Sequence, residues 1–229
     1  MEVEDFLNGK VLLIDKPLNW TSFQVVNKIR WAIRKKFNLK KIKVGHAGTL
    51  DPLATGLLIL CTGKMTKKIN EYQAENKEYT GTITLGATTP SFDLETEIDE
   101  TFPIEHITDE HIYAAAESFK GLIDQKPPIY SAIKKDGIRL YELARKGEQT
   151  EIKSREVNIL DFDITKIELP MVQFRILCSK GTYIRSIASD FGKELHSGGY
   201  LSSLRRTKSG AFDLSKAISP ESFVEALTA

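Results

Sequence analysis

Apolar residues recur along the chain in short blocks whose period changes from block to block. Residues 10–17, KVLLIDKP, are a compact apolar run closed by a proline, which predicts a strand. Residues 21–37, TSFQVVNKIRWAIRKKF, place Phe23, Val26, Ile29 and Ile33 at helical spacing, with Thr21 or Ser22 able to cap the start. Residues 56–63, GLLILCTG, are a continuous apolar run between glycines and predict a buried strand. Residues 78–87 alternate, with Thr80, Thr82 and Thr84 on one face and Tyr79, Ile83 and Leu85 on the other, again a strand. Residues 108–121 open on a Thr-Asp cap and close on Gly121, which predicts a helix. In residues 131–147 an Asp-Gly pair between two short runs signals a hairpin, followed by a short helix. Two strands follow at 157–168 and 171–181, parted by Pro170, and then a helix over 182–198. Strands and helices do not alternate strictly. The expected fold is therefore α/β in the α+β sense, with a mixed, mostly antiparallel central sheet flanked by helices.

The chain has 229 residues, 41% of them hydrophobic and 28% charged, enough for a substantial core in a single domain spanning 1–229. No apolar run reaches the ~20 residues of a membrane helix. The acidic start MEVEDFLNGK lacks the pattern of a signal peptide. Cys61 and Cys178 lie inside apolar runs and read as reduced core residues, without zinc spacing. A cytoplasmic setting is expected. The formal net charge is only +1, but it is unevenly spread. Residues 34–43 carry six basic residues and no acidic one, and residues 93–110 carry eight acidic residues and no Lys or Arg. A basic face suits a polyanion, and it also suits plain solvation.

Three clusters carry chemistry. The first is VGHAGTLDPLATGLLILCTG, residues 44–63. Pro52 pushes Asp51 towards extended backbone, and Gly45, Gly48 and Gly56 permit tight turns, so the carboxylate is held in advance. Asp-Pro alone is ordinary turn chemistry, but a turn needs neither His46 nor Gly48 nor Thr55-Gly56. The second is CSKGTYIRSIASD, residues 178–190, which puts Tyr183 and Arg185 in the first turns of a helix. The dipole disfavours an arginine there, so Arg185 answers either to a carboxylate or to solvent. The third is LSSLRRTKSG, residues 201–210, with Arg205, Arg206 and Lys208 beside Leu204. Three cations in four positions suit phosphates or a solvated edge strand.

GHAGTLDPLATGLLILCTGKMTK, KEYTGTITLG, SKGTYIRS and LSSLRRTKSG resemble, in order, the motifs of the TruB-type tRNA pseudouridine synthases. IDKPLNWTSFQVV resembles their N-terminal DKPxGxTS motif, with Asn19 where glycine is usual; Asn tolerates left-handed backbone, so the turn should survive. IYSAIKKDGIRLYELARKG resembles their RNA-contacting insertion, expected over 124–153. The resemblance implies the pseudouridine synthase fold. It also implies conversion of uridine 55 in the tRNA T-loop to pseudouridine, with no metal or organic cofactor. It assigns Asp51 as the catalytic carboxylate, Arg185 as its partner, and Tyr79 as the tyrosine stacked on the target base. Leu204 becomes an apolar pocket wall, and His46 fills the space left by the flipped base. Lys134, Lys135, Arg139 and Arg145 would grip the T-arm. Lys16, Lys64, Tyr183 and Arg205 complete the expected substrate-binding set, with Lys16 and Lys64 as supporting cations near the loop. The partner implied is tRNA, with no membrane and no obligatory protein partner, and the protein is expected to be a monomer. Many members continue into a C-terminal PUA domain, and none is expected here.

Two other classes share some of these features. A glycoside hydrolase also works at an anomeric carbon but normally uses two carboxylates, and the Asp51 motif offers no second acid nearby. A non-catalytic RNA-binding or RNA-folding module would need the basic residues without the set Asp51, Tyr79 and Arg185.

Overall fold

The computed structural model describes residues 2–131, 133–135, 137–140, 142 and 152–228, with backbone alone at 134, 135, 138 and 139. The chain divides into two compact units, residues 1–79 with 204–229, and residues 80–203.

The first unit opens with α1 (Val3–Asn8) and β1 (Val11–Lys16). Helix α2 (Ser22–Lys36) follows, capped by a reciprocal pair in which Thr21 Oγ1 accepts from the Gln24 N–H and the Gln24 side chain accepts from the Thr21 N–H. Next come β2 (Val44–His46), β3 (Ala54–Thr62), a 3₁₀ turn (Gly63–Lys68), α3 (Ile69–Ala74) and the start of β4 (Lys77–Leu85). The order in this unit is β1-β3-β12-β4, with β2 also paired to β3. Strand β1 is antiparallel to β3, with Val11 opposite Cys61 and Lys16 opposite Gly56. Strand β3 is apolar from Leu57 to Cys61 because both faces are covered. Leu58 and Leu60 join Ile14, Val25, Val26, Ile29 and Ile33 in one cluster, while Leu57 and Ile59 meet Ala47 in another. Phe23 departs from the expected helical face: it is 61% exposed, and the buried stripe of α2 is Ser22, Val25, Val26, Ile29, Ala32 and Ile33.

The second unit holds the rest of β4, then β5 (Ala87–Thr88), β6 (Glu100–Thr101), α4 (Asp109–Ser118) and β7 (Gly121–Gln125). A small hairpin pairs β8 (Lys134–Lys135) with β9 (Ile138–Arg139), with Gly137 in the turn between them, as the Asp-Gly pair predicts. Of the short helix expected after it, Leu140 and Glu142 are described and are helical; the rest lies outside the described residues. Strands β10 (Arg155–Glu168) and β11 (Met171–Cys178) pair antiparallel, and β7 adds to β10 in the same sense. Helix α5 (Ile184–Glu194) closes an aromatic cluster of Phe119, Phe162, Phe174 and Phe191. Tyr183 stands just before α5 as its N-cap rather than inside its first turn. Elements α1 and β7, and the last helix α6 (Pro220–Thr228), escape the sequence pattern.

Strand β12 (Gly199–Ser209) ends in the first unit, where β13 (Phe212–Asp213) pairs with it. Its final residues run parallel to β3, with Leu204 opposite Ala54 and Arg206 opposite Gly56. The sheet is mixed and mostly antiparallel, with helices against it, as expected. Strand β12 is an interior strand here, not a solvated edge.

Candidate active site

In the first unit the residues between β2 and β3 form a loop carrying Asp51, and five anchors fix it. The Asp51 carbonyl accepts from the Ala54 N–H at 3.1 Å, closing a tight turn. Ser22, buried at the start of α2, exchanges hydrogen bonds with Leu50: its Oγ accepts from the Leu50 N–H at 2.8 Å and donates to the Leu50 carbonyl at 3.0 Å. The Asn19 N–H donates to the Pro52 carbonyl at 2.9 Å. Asn19 holds φ at 63°, so the left-handed turn survives without glycine.

Lys16 is the fourth anchor. It is fully buried, and its ammonium donates to the carbonyls of Pro17 (3.0 Å), Trp20 (2.5 Å) and Pro52 (3.3 Å). Burial lowers its pKa to about 8; the negative charge of Asp51 opposes that shift, and Arg206 adds to it. The fifth anchor is Arg206, only 1% exposed. Its Nε donates to the Leu57 carbonyl at 2.7 Å and an η nitrogen to the Gly48 carbonyl at 3.1 Å. It therefore ties β12 to both β3 and the Asp51 loop. Gly48 (φ 103°) and Gly56 (φ 100°) make this fit possible: a Cβ at Gly56 would stand 2.3 Å from the Arg206 carbonyl oxygen.

Three further expected residues gather around this loop. Leu204 lies opposite Ala54, three residues after Asp51. Arg205 donates to Asp15 at 2.6 Å and to Thr55 at 3.2 Å, cross-linking β12 to β1 and β3. The His46 imidazole is held below its ordinary pKa by burial and by Arg206, so it is neutral at neutral pH. Its Nδ1 is buried without a hydrogen-bond partner among the described residues. Tyr79 is buried on β4 at 9% exposure. Lys64 is not brought to the loop. It follows the far end of β3, about 30 Å away at ~3.3 Å per residue, and donates to Asn8 at 3.0 Å.

In the second unit Arg185 is 4% exposed on the first turn of α5. It donates to the carbonyls of Ser91 (3.1 Å) and Tyr130 (2.9 Å), and its Nε lies 3.5 Å from the buried carboxylate of Asp93. Of the two readings left open, the carboxylate holds. Tyr183 is clamped by Gln125, which accepts from its N–H at 2.7 Å and donates to its carbonyl at 3.0 Å, and the Arg155 guanidinium stacks 4.6 Å from its ring. The side chains of Lys134, Lys135 and Arg139, and all of Arg145, lie outside what is described.

Sequence reasoning missed the part played by Arg206, read as a phosphate cation or a solvated residue; it is an interior anchor. The signal was the pair of glycines, Gly48 and Gly56, but their partner belongs to a strand roughly 150 residues downstream, which local pattern cannot name. Asp93 opens the acidic run of residues 93–110, yet it is buried at 4% exposure.

Comparison with known proteins points one way. Residues 34–184 match the family model described as TruB family pseudouridylate synthase, N-terminal domain. A protein named tRNA pseudouridine synthase B from Flavobacterium johnsoniae is 61% identical over 99% of this chain and all of the relative. One of the same name from Phocaeicola vulgatus is 56% identical over 96% of this chain and 94% of the relative. Among solved structures, a chain from a Cbf5-Nop10-Gar1 complex aligns over 93% of this chain with a TM-score of 0.69 at 30% identity. A chain from an H/ACA RNP bound to a substrate RNA containing 2′-deoxyuridine aligns over 98% with a TM-score of 0.70 at 26% identity. This chain spans about half the length of those two solved chains, 52% and 55%.

Proposed function

The chain belongs to the TruB family of pseudouridylate synthases and carries their fold, and from that premise we propose that it converts uridine 55 in the T-loop of tRNA to pseudouridine. The reaction is an isomerisation. The N1–C1′ bond breaks, uracil turns over, and C5 bonds to C1′. The C5 proton leaves and N1 gains one, so no electrons and no phosphoryl group enter. What the reaction needs from the protein is one ionised carboxylate held at the sugar or base, and an environment that keeps water from the detached base.

The observation that carries this reading is the anchoring of the Asp51 loop by Lys16, Ser22, Asn19 and Arg206. It leaves the carboxylate little freedom to lose when substrate arrives. In this reading Asp51 is the catalytic residue, Tyr79 stacks on the target base, and Leu204 supplies an apolar wall. Arg185 is the arginine of the catalytic set. A base in a folded loop must first leave its stack. The neutral His46 is suited to fill the space left behind, since its shape is required there and a charge is not. The basic hairpin around residues 134–139 grips the T-arm.

The test is incubation with unmodified tRNA transcript followed by mapping of pseudouridine. Product at position 55 is expected from the native chain. Asp51→Asn, which keeps the shape and removes the charge, should form none in single turnover while binding tRNA within a few-fold of the native affinity. Free uracil as product, or unimpaired turnover by the Asn variant, would overturn the reading.

A further inference from the structure

The outward face of α2 has features that the catalytic loop does not use. Phe23 and Trp31 are 61% and 58% exposed, on the side of the helix away from its buried stripe. Asn27, Arg30 and Arg34 share that side by helical spacing, and the Lys35 ammonium stands 4.8 Å from the Trp31 ring centroid. The segment after the helix adds exposed Lys40, Lys41 and Lys43. Between Asp15 and Asp51 the chain has nine Lys or Arg and no carboxylate side chain. Flat aromatic faces interleaved with unopposed cations are the equipment of a surface for nucleic acid, because rings can stack on bases and cations neutralise phosphates.

Its placement sets its reach. Ser22, at the start of α2, is bonded to Leu50 beside Asp51. The helix has 15 residues, so its basic end stands about 22 Å from the loop at ~1.5 Å per residue. That is too far to touch a uridine at Asp51. It is within range of RNA that lies beyond the target loop and its closing stem.

We propose that the outer face of α2 with residues 34–43 is a second RNA-binding surface, engaging phosphates of the substrate beyond the target loop and its closing stem. The proposal rests on the functional reading above and extends it from the target base to the rest of the RNA.

The experiment neutralises Lys35, Lys40, Lys41 and Lys43 together to Gln, with Trp31→Ala as a second variant. A control neutralises Lys67, Lys166, Lys193 and Lys216, all exposed elsewhere. Each is checked for native melting behaviour. Each is then titrated with full tRNA and with a short stem-loop holding only the target loop and its closing stem, across a salt series. The four-lysine variant should lose at least tenfold in affinity for full tRNA and lower the slope of log affinity against log salt by roughly 2 to 3. Trp31→Ala should weaken full tRNA severalfold with little change in slope. Stem-loop binding, and the single-turnover rate on saturating stem-loop, should match the native chain. Unchanged affinity for full tRNA overturns the proposal and leaves the face to an acidic protein partner. Equal loss on both RNAs, or equal loss in the control, also overturns it. If the native chain modifies neither RNA, the functional reading fails, while the two binding series still decide whether this face holds RNA.

Discussion

Lys16 shows at the scale of one residue how the loop is held and what that costs. A buried ammonium is expensive, and it is kept here because three carbonyls, of Pro17, Trp20 and Pro52, surround it. Its pKa falls from 10.5 to about 8, so between those values the unfolded chain holds a proton that the folded chain has released. Stability therefore rises with pH across that window: the cost of burying the charge is full below pH 8 and gone above pH 10.5. Lys16→Met takes this donor from all three carbonyls, leaving Pro52 with the Asn19 N–H, and should cost about 2–4 kcal/mol at pH 7.5. The gap between native and variant should widen by pH 9.5, since only the native chain sheds this cost. Urea unfolding at the two pH values measures it. A gap that stays constant or shrinks would show that the lysine is not the titrating group.

At the scale of elements, the parallel contact of β3 with β12 depends on Gly56. The site has both a left-handed backbone and an Arg206 carbonyl 2.3 Å from where a Cβ would be. Gly56→Ala must push the strands apart and should destabilise by 3 kcal/mol or more on the order of other strained, overpacked sites. Gly121→Ala is the matched comparison, with φ at 95° and nothing within 4 Å, and should cost only about 1 kcal/mol. Equal unfolding midpoints for the two variants would contradict the packing argument. This contact also marks the limit of what the sequence discloses. Strands β1, β3, β4, β10 and β11 and helices α2, α4 and α5 are legible because their apolar spacing is local. So is the preformed Asp51 turn, because Asp-Pro and its glycines are neighbours in the chain. The interior place of β12 is not legible, since a strand carrying Arg205, Arg206 and Lys208 reads as solvated until β3 and β4 flank it. Phe23 fails for the opposite reason: apolar character predicts burial, and here an aromatic ring is left on the outer face.

At the scale of the whole molecule, binding and chemistry draw on different parts of the chain. A net charge of +1 predicts no polyanion partner, whereas the stretch between Asp15 and Asp51 gathers nine cations and no carboxylate of its own beside a single fixed carboxylate. Among the described residues no helix is long and apolar enough to cross a membrane, and no group of three His, Cys, Asp or Glu could hold a metal ion. The cysteines offer little to a metal either. Both are buried, and burial pushes the Cys61 thiol up to about 11, so the thiolate that a metal binds is scarce at neutral pH. The proposed isomerisation is redox-neutral and can run on Asp51 with positioned neighbours. Activity is therefore expected to survive exhaustive chelation and to need no added nucleotide or redox cofactor. Because chelation also strips magnesium from tRNA, the assay belongs on a stem-loop substrate shown to stay folded. Single-turnover rates before and after dialysis against a strong chelator should agree within twofold. Loss of the reaction on that folded substrate, restored by zinc or magnesium, would mean that a metal takes part, and the assignment of the chemistry to Asp51 without a cofactor would have to be abandoned.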